Sequence, residues 1–62
     1  MNAYEIEGRT YQARNEYAAV KEAYKMATDW HLVEYLGRDA WVYNATFKSG
    51  KAVVVVSKME VI

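Results

Sequence analysis

His31 is the single histidine of this 62-residue chain, with Asp29 two residues before it and Glu34 three after. An imidazole near carboxylates is the minimum equipment for moving a proton or holding a divalent cation. The strand-like stretch around it breaks the set, because alternate side chains of a strand face opposite ways and Glu34 then projects away from His31. His31 reads as a half-buried structural residue. Ser49 and Ser57 have no base nearby, and Gly8, Gly37 and Gly50 fall at turns instead of in a phosphate-cradling loop that opens a helix. The expectation is a chain with no catalytic residues, no metal site and no cofactor.

The cations offer a different chemistry. Lys48 and Lys51 flank a hairpin tip, Lys21 and Lys25 stand on the polar side of a helix, and Arg9, Arg14 and Arg38 lie near turns. Basic groups among aromatics can hold a phosphate backbone and stack bases. Eight basic residues are balanced by eight acidic ones, however, so no global field draws a polyanion. Nucleic-acid binding through Lys21, Lys25, Lys48, Lys51 and Arg38 is carried as an alternative to a plainly solvated set of charges.

The elements that position these groups follow from periodicity. AYEIEGRTYQAR alternates, and a two-residue type II′ turn at Gly8-Arg9 would pair Ile6 with Tyr11 and Tyr4 with Ala13. At NEYAAVKEAYKMAT the period becomes helical, with Asn15 as N-cap, Glu16 in the first turn and a helix expected to about Ala27. Tyr17, Val20, Ala23, Tyr24 and Ala27 form its apolar stripe. Three strands follow, WHLVEYL, AWVYNATF and KAVVVVSKMEVI, joined by Gly37-Arg38-Asp39 and by Lys48-Ser49-Gly50. The fold class expected for residues 1 to 62, read as a single domain, is α+β: β-β-α-β-β-β, a mostly antiparallel sheet with one helix packed on one face.

Register decides which valines are buried. A two-residue turn at Ser49-Gly50 would oppose Lys48 and Lys51 and turn Lys58 and Glu60 to the aromatic face. A three-residue Lys48-Ser49-Gly50 loop with a bulge avoids both, pairing Phe47 with Lys51 and Tyr43 with Val55. Trp41, Tyr43, Ala45, Phe47, Val53, Val55, Met59 and Val61 then share the core side, together with Val33 and Tyr35, and Glu34 points outward.

One short helix shields only one side of a five-stranded sheet, so the other stays bare. In this register the bare side carries Trp30, Leu32, Val42, Asn44, Thr46, Ala52, Val54 and Val56. A contiguous apolar patch on a small protein marks a contact surface. Trp30, Leu32, Val42, Asn44, Thr46, Val54 and Val56, with Lys48 and Lys51 at the tip, are the predicted partner-binding residues. Val54→Asp or Val42→Asp is expected to abolish binding or self-association and leave the domain folded.

Composition sets the class of protein. At 53% hydrophobic and 15% aromatic the chain is globular, and its lack of cysteine excludes a disulfide framework and thiolate metal sites. The longest apolar run, Ala52 to Val56, falls far short of the roughly 20 residues that cross a bilayer, and no leader pattern opens the sequence. A cytoplasmic, non-enzymatic interaction protein is expected, with a protein partner or a second copy of itself.

The stretch YQARNEYAAVKEA, a strand running through Ala-x-Asn into an alanine-rich helix, followed by the strand-rich DWHLVEYLGRDAWVYNATFKSGKAVVV, resembles small phage-encoded inhibitors of the anti-CRISPR type. The resemblance lies in the order of elements and the placement of turns. It implies a stoichiometric inhibitor in a bacterial host cell that docks on a defence or host complex and blocks it without catalysis, with loop-tip cations corresponding to Lys48 and Lys51.

Overall fold

The computed structural model describes residues 1–59, which form β1 (Asn2–Ile6), β2 (Arg9–Ala13), α1 (Glu16–Ala23), β3 (Asp29–Gly37), β4 (Ala40–Phe47) and β5 (Gly50–Met59). All five strands join one antiparallel sheet in the order β2-β1-β5-β4-β3, with α1 laid on one side. The expected β-β-α-β-β-β order and α+β class are what the chain adopts. Glu60 and Val61, assigned to faces above, lie outside the described residues.

Each hairpin closes through two residues, and each differs from the expected turn. The first turn is Glu7-Gly8, both with positive φ (52° and 80°), and it sets Ile6 opposite Arg9 and Tyr4 opposite Tyr11. Two left-handed residues in succession give the twist that matches a right-handed strand pair, which favours this turn over Gly8-Arg9. The change moves the register by two, so Tyr4, Ile6, Tyr11 and Ala13 still share a face.

Arg38 and Asp39, with φ of 51° and 58°, make the same kind of turn between Gly37 and Ala40, in place of the expected three-residue loop. Irregularities at Val33 and Leu36 then interrupt the pairing of β3 with β4. One extra residue in a strand of period two exchanges the faces of everything beyond it. Tyr35 opposite Trp41 and Glu34 opposite Val42 keep the sides expected of them. Leu32 opposite Tyr43 and Trp30 opposite Ala45 are switched to the helix side.

The last hairpin turns at Lys48-Ser49, with Phe47 opposite Gly50 and Tyr43 opposite Val54. This overturns the three-residue loop, and with it the assignment of the valines. Val54 and Val56 are buried beneath the helix, and Val53 and Val55 face outward. The feared lysine clash never arises, since Lys48 sits in the turn and Lys51 stands opposite Thr46. Lys58 does lie on the aromatic side, opposite Tyr4, but near the strand end where it stays exposed.

Asn15 caps α1 as expected: its backbone is extended and its side-chain oxygen accepts from the Ala18 amide at 2.8 Å. The helix stops at Ala23, one turn before Ala27, because it follows an edge strand and must deliver the chain to the opposite edge. Residues 24 to 28 make that passage, held by the Ala27 amide on the Tyr24 carbonyl (2.9 Å), the Thr28 amide on the Thr46 carbonyl (2.7 Å) and Trp30 Nε1 on the Tyr24 carbonyl (3.0 Å). Ala19 and Val20 close over Tyr4, Ile6, Tyr43, Ala45, Val54 and Val56. Full burial of a side chain such as Ile6 or Val20 contributes about 1.5–3 kcal/mol.

Tyr43 ties this core to the first helical turn by donating its hydroxyl to Glu16 Oε2 at 2.9 Å. Burial, reinforced by the Glu16 carboxylate, pushes its phenol well above the ordinary tyrosine range. The unfolded chain therefore releases this proton first, and the stability it confers is complete below about pH 10 and lost as pH rises beyond. Tyr43→Phe is expected to cost about 1–2 kcal/mol at pH 7, with the gap to wild type narrowing above about pH 10. Urea unfolding across that range checks it; a gap independent of pH would remove the coupling.

Candidate functional site

On the sheet, exposed apolar side chains gather in two places, one on each side. On the side away from α1, strand alternation lines up Val42, Asn44, Thr46, Lys51, Val53 and Val55, with His31 opposite Asn44 and Glu34 opposite Val42. Val53 is 70% exposed and Val55 49%, although β5 is the central strand. A side chain on a central strand is open to that degree only where nothing packs over it.

The second place is the far end of β3 and β4 on the helix side. There α1 gives no cover, since it packs chiefly on β2, β5 and β1. Tyr35 lies 5.6 Å from Trp41, ring to ring, and Trp41 meets Tyr4 edge-on at 6.2 Å, so a rigid aromatic row runs outward from the core. Tyr35 remains 56% exposed at its end, beside Leu36 at 52%. Within the sheet β3 has β4 as its one neighbour, and the two bulges that break its ladder work against simple addition of another strand.

Of the nine predicted partner-binding residues, the structure brings Val42, Asn44, Thr46 and Lys51 together on the bare side. Lys48 is exposed in the adjoining turn. Trp30 and Leu32 are corrected to the helix side, and Val54 and Val56 to the core, where neither is accessible to a partner. Val53 and Val55 were missed for a stated reason: with four valines in a row, a shift of one residue in register exchanges the buried pair for the exposed pair. Register carried through the Gly37-Arg38-Asp39 turn puts Tyr35 on the core side, and it does stand on that side, opposite Trp41, but beyond the reach of the helix.

The basic residues do not converge. Arg38 and Lys48 occupy the turns at opposite ends of β4, an eight-residue strand roughly 26 Å long. Lys21 and Lys25 instead join Arg14 around Tyr17 and Trp30, along a groove of about 390 Å³ beside the helix that also includes Glu22. The Lys21 ammonium stands 5.3 Å from the centroids of both rings. His31 and Glu34 are both on the outer side, not opposed as the sequence suggested, because the irregularity at Val33 lies between them. Among the described residues, no three His, Cys, Asp or Glu side chains gather as a metal site would require, and no helix is long and apolar enough to cross a membrane.

Comparison with family models, with curated proteins and with solved structures gives no match to this chain. The surfaces are therefore interpreted from their own chemistry.

The register makes a sharp distinction between adjacent valines. Val54→Asp places a carboxylate in the core and is expected to unfold a domain of this size, whose whole stability is of order 3–9 kcal/mol. Val53→Asp is expected to leave it folded at 25 °C. Circular dichroism and thermal melts of the two variants separate these outcomes, and a folded Val54→Asp would refute the pairing of Tyr43 with Val54.

Proposed function

We propose that this chain is a non-enzymatic protein-binding module that acts by occluding a surface of its partner. The observation carrying this reading is the aromatic row from Tyr4 through Trp41 to Tyr35, which ends in solvent beside Leu36. Rigid aromatics held by a core lose little freedom on docking, and Tyr and Trp are the residues most often found at the energetic centre of an interface. A 62-residue chain has scant core to spare, so leaving such groups uncovered implies a use for them elsewhere.

As the form of that module we propose a phage or mobile-element inhibitor of the anti-CRISPR type, acting in the cytoplasm of a bacterial host on a defence or host complex. The support for this narrower reading is the shared layout of one helix on an antiparallel sheet. Docking by rigid side chains, without a cofactor, suits stoichiometric inhibition.

Nucleic-acid binding is a second reading, favoured by the groove in which Arg14, Lys21 and Lys25 surround Trp30. Phosphates would meet the cations there while a base met the indole. Affinity for a labelled single-stranded oligonucleotide would fall steeply with salt and with Lys21→Glu plus Lys25→Glu. No binding at low salt would dismiss this reading.

The protein-binding proposal is tested with tagged protein as bait in bacterial lysate, followed by affinity measurement on the captured partner. Tyr35→Asp is expected to weaken that affinity by about thirtyfold, the equivalent of about 2 kcal/mol. Arg9→Glu, on the far edge of the sheet, should leave it unchanged. A partner bound equally by wild type and Tyr35→Asp would overturn the assignment of this surface.

A further inference from the structure

We propose that the bare side of the sheet is covered by a second copy of this chain, packed face to face with its strands antiparallel to those of the first. This is independent of the foreign-partner reading, which uses the helix side.

The outer residues fall into rows across the strands. One row is Asp29, Thr46, Lys51; the next His31, Asn44, Val53; then Glu34, Val42, Val55; then Ala40, Ser57, Glu5. Consider a two-fold axis running across the strands at the level of Val54, in the plane between two such faces. The strands β3, β4 and β5, which extend to both sides of that level, then lie over their own copies, and each row faces the row equally far on the other side of the axis. Val53 meets Val55 of the second copy, Asn44 meets Val42, and His31 meets Glu34. Lys51 meets Ser57, with Glu5 of the second copy directly beside it. Every contact occurs twice.

That register is complementary in charge. The amine of Lys51 approaches the carboxylate of Glu5, and the imidazole of His31 meets the carboxylate of Glu34. The two most exposed valines of the central strand close the middle. A foreign partner would need to supply the mirror of this pattern, whereas the chain already carries it on one face.

The area fits a weak, concentration-dependent dimer. Rows 51 to 57 span six residue steps, roughly 20 Å, and the three strands that share them, β3, β4 and β5, span roughly 14 Å. Flat projection gives roughly 280 Å² per copy and roughly 560 Å² for the pair, in the range of transient contacts and not of permanent ones. Two twisted sheets packed this way keep their strands within about 30° of alignment, which the rows tolerate.

Lys51 and Glu5 provide the test, because within one chain they cannot meet. Glu5 lies opposite Ser57, six residues along β5 from Lys51. Sedimentation equilibrium from about 5 to about 500 µM is expected to show the mass rising from 7.2 kDa towards twice that value. Val53→Asp should hold the single-chain mass throughout. Lys51→Glu and Glu5→Lys should each weaken the dimer by about tenfold, and the double variant should return it to within about threefold of wild type. A single-chain mass for the wild-type protein at every concentration would overturn the proposal. So would a dimer that the double variant fails to restore. Tyr35→Asp should leave the dimer intact, which separates failure here from failure of the foreign-partner reading.

Discussion

The structure depends on the double pairing of β5. It lies between β1 and β4, so its register against both neighbours fixes the side on which Ala52, Val54 and Val56 stand. Val54 opposite Tyr43, and Val56 opposite both Trp41 and Ile6, bring residues far apart in the chain under Ala19 and Val20 of the helix. A slip of one residue would turn this whole set to solvent, and no other strand could compensate, because every apolar row of the core passes through β5. The terminal strands β1 and β5 are thereby locked together, which closes a chain that no disulfide could tie.

From that constraint the two uncovered surfaces follow. An eight-residue helix is about 12 Å long, and its packing against β2, β1 and β5 leaves the far end of β3 and β4 without a lid. The aromatic residues there are tethered to the core through Trp41, so they are rigid as well as exposed. On the reverse side no element among the described residues covers the sheet, and the same alternation that buries Val54 and Val56 presents Val53 and Val55. Binding capacity in this protein is thus a consequence of limited coverage.

Much of the fold was legible in sequence. The alternation of Tyr4, Ile6, Tyr11 and Ala13, the Asn15 cap and the change of period after it located both hairpin and helix, and the face of the first hairpin survived an error in its turn. Turn lengths were less legible. Glu7 and Arg38 adopt left-handed conformations that such residues rarely take, so their types do not mark the turns; Asp39, which tolerates that conformation, is the one local hint in the second turn. The irregularities at Val33 and Leu36 were invisible for a related reason: they arise where β3 meets β4, and they moved Leu32 and Trp30 to the other side.

What the sequence by itself determined was the inventory and order of elements, because periodicity, capping and turn chemistry act within a few residues. It also determined that the one helix would cover a single side of the sheet, since a helix packs on one face only. Which valines occupy that side was decided only by the tertiary structure. In VVVV the two alternating pairs are chemically identical, and only the simultaneous fit of β5 to Tyr43, Ile6 and Val20 distinguishes the pair that is buried from the pair that is shown.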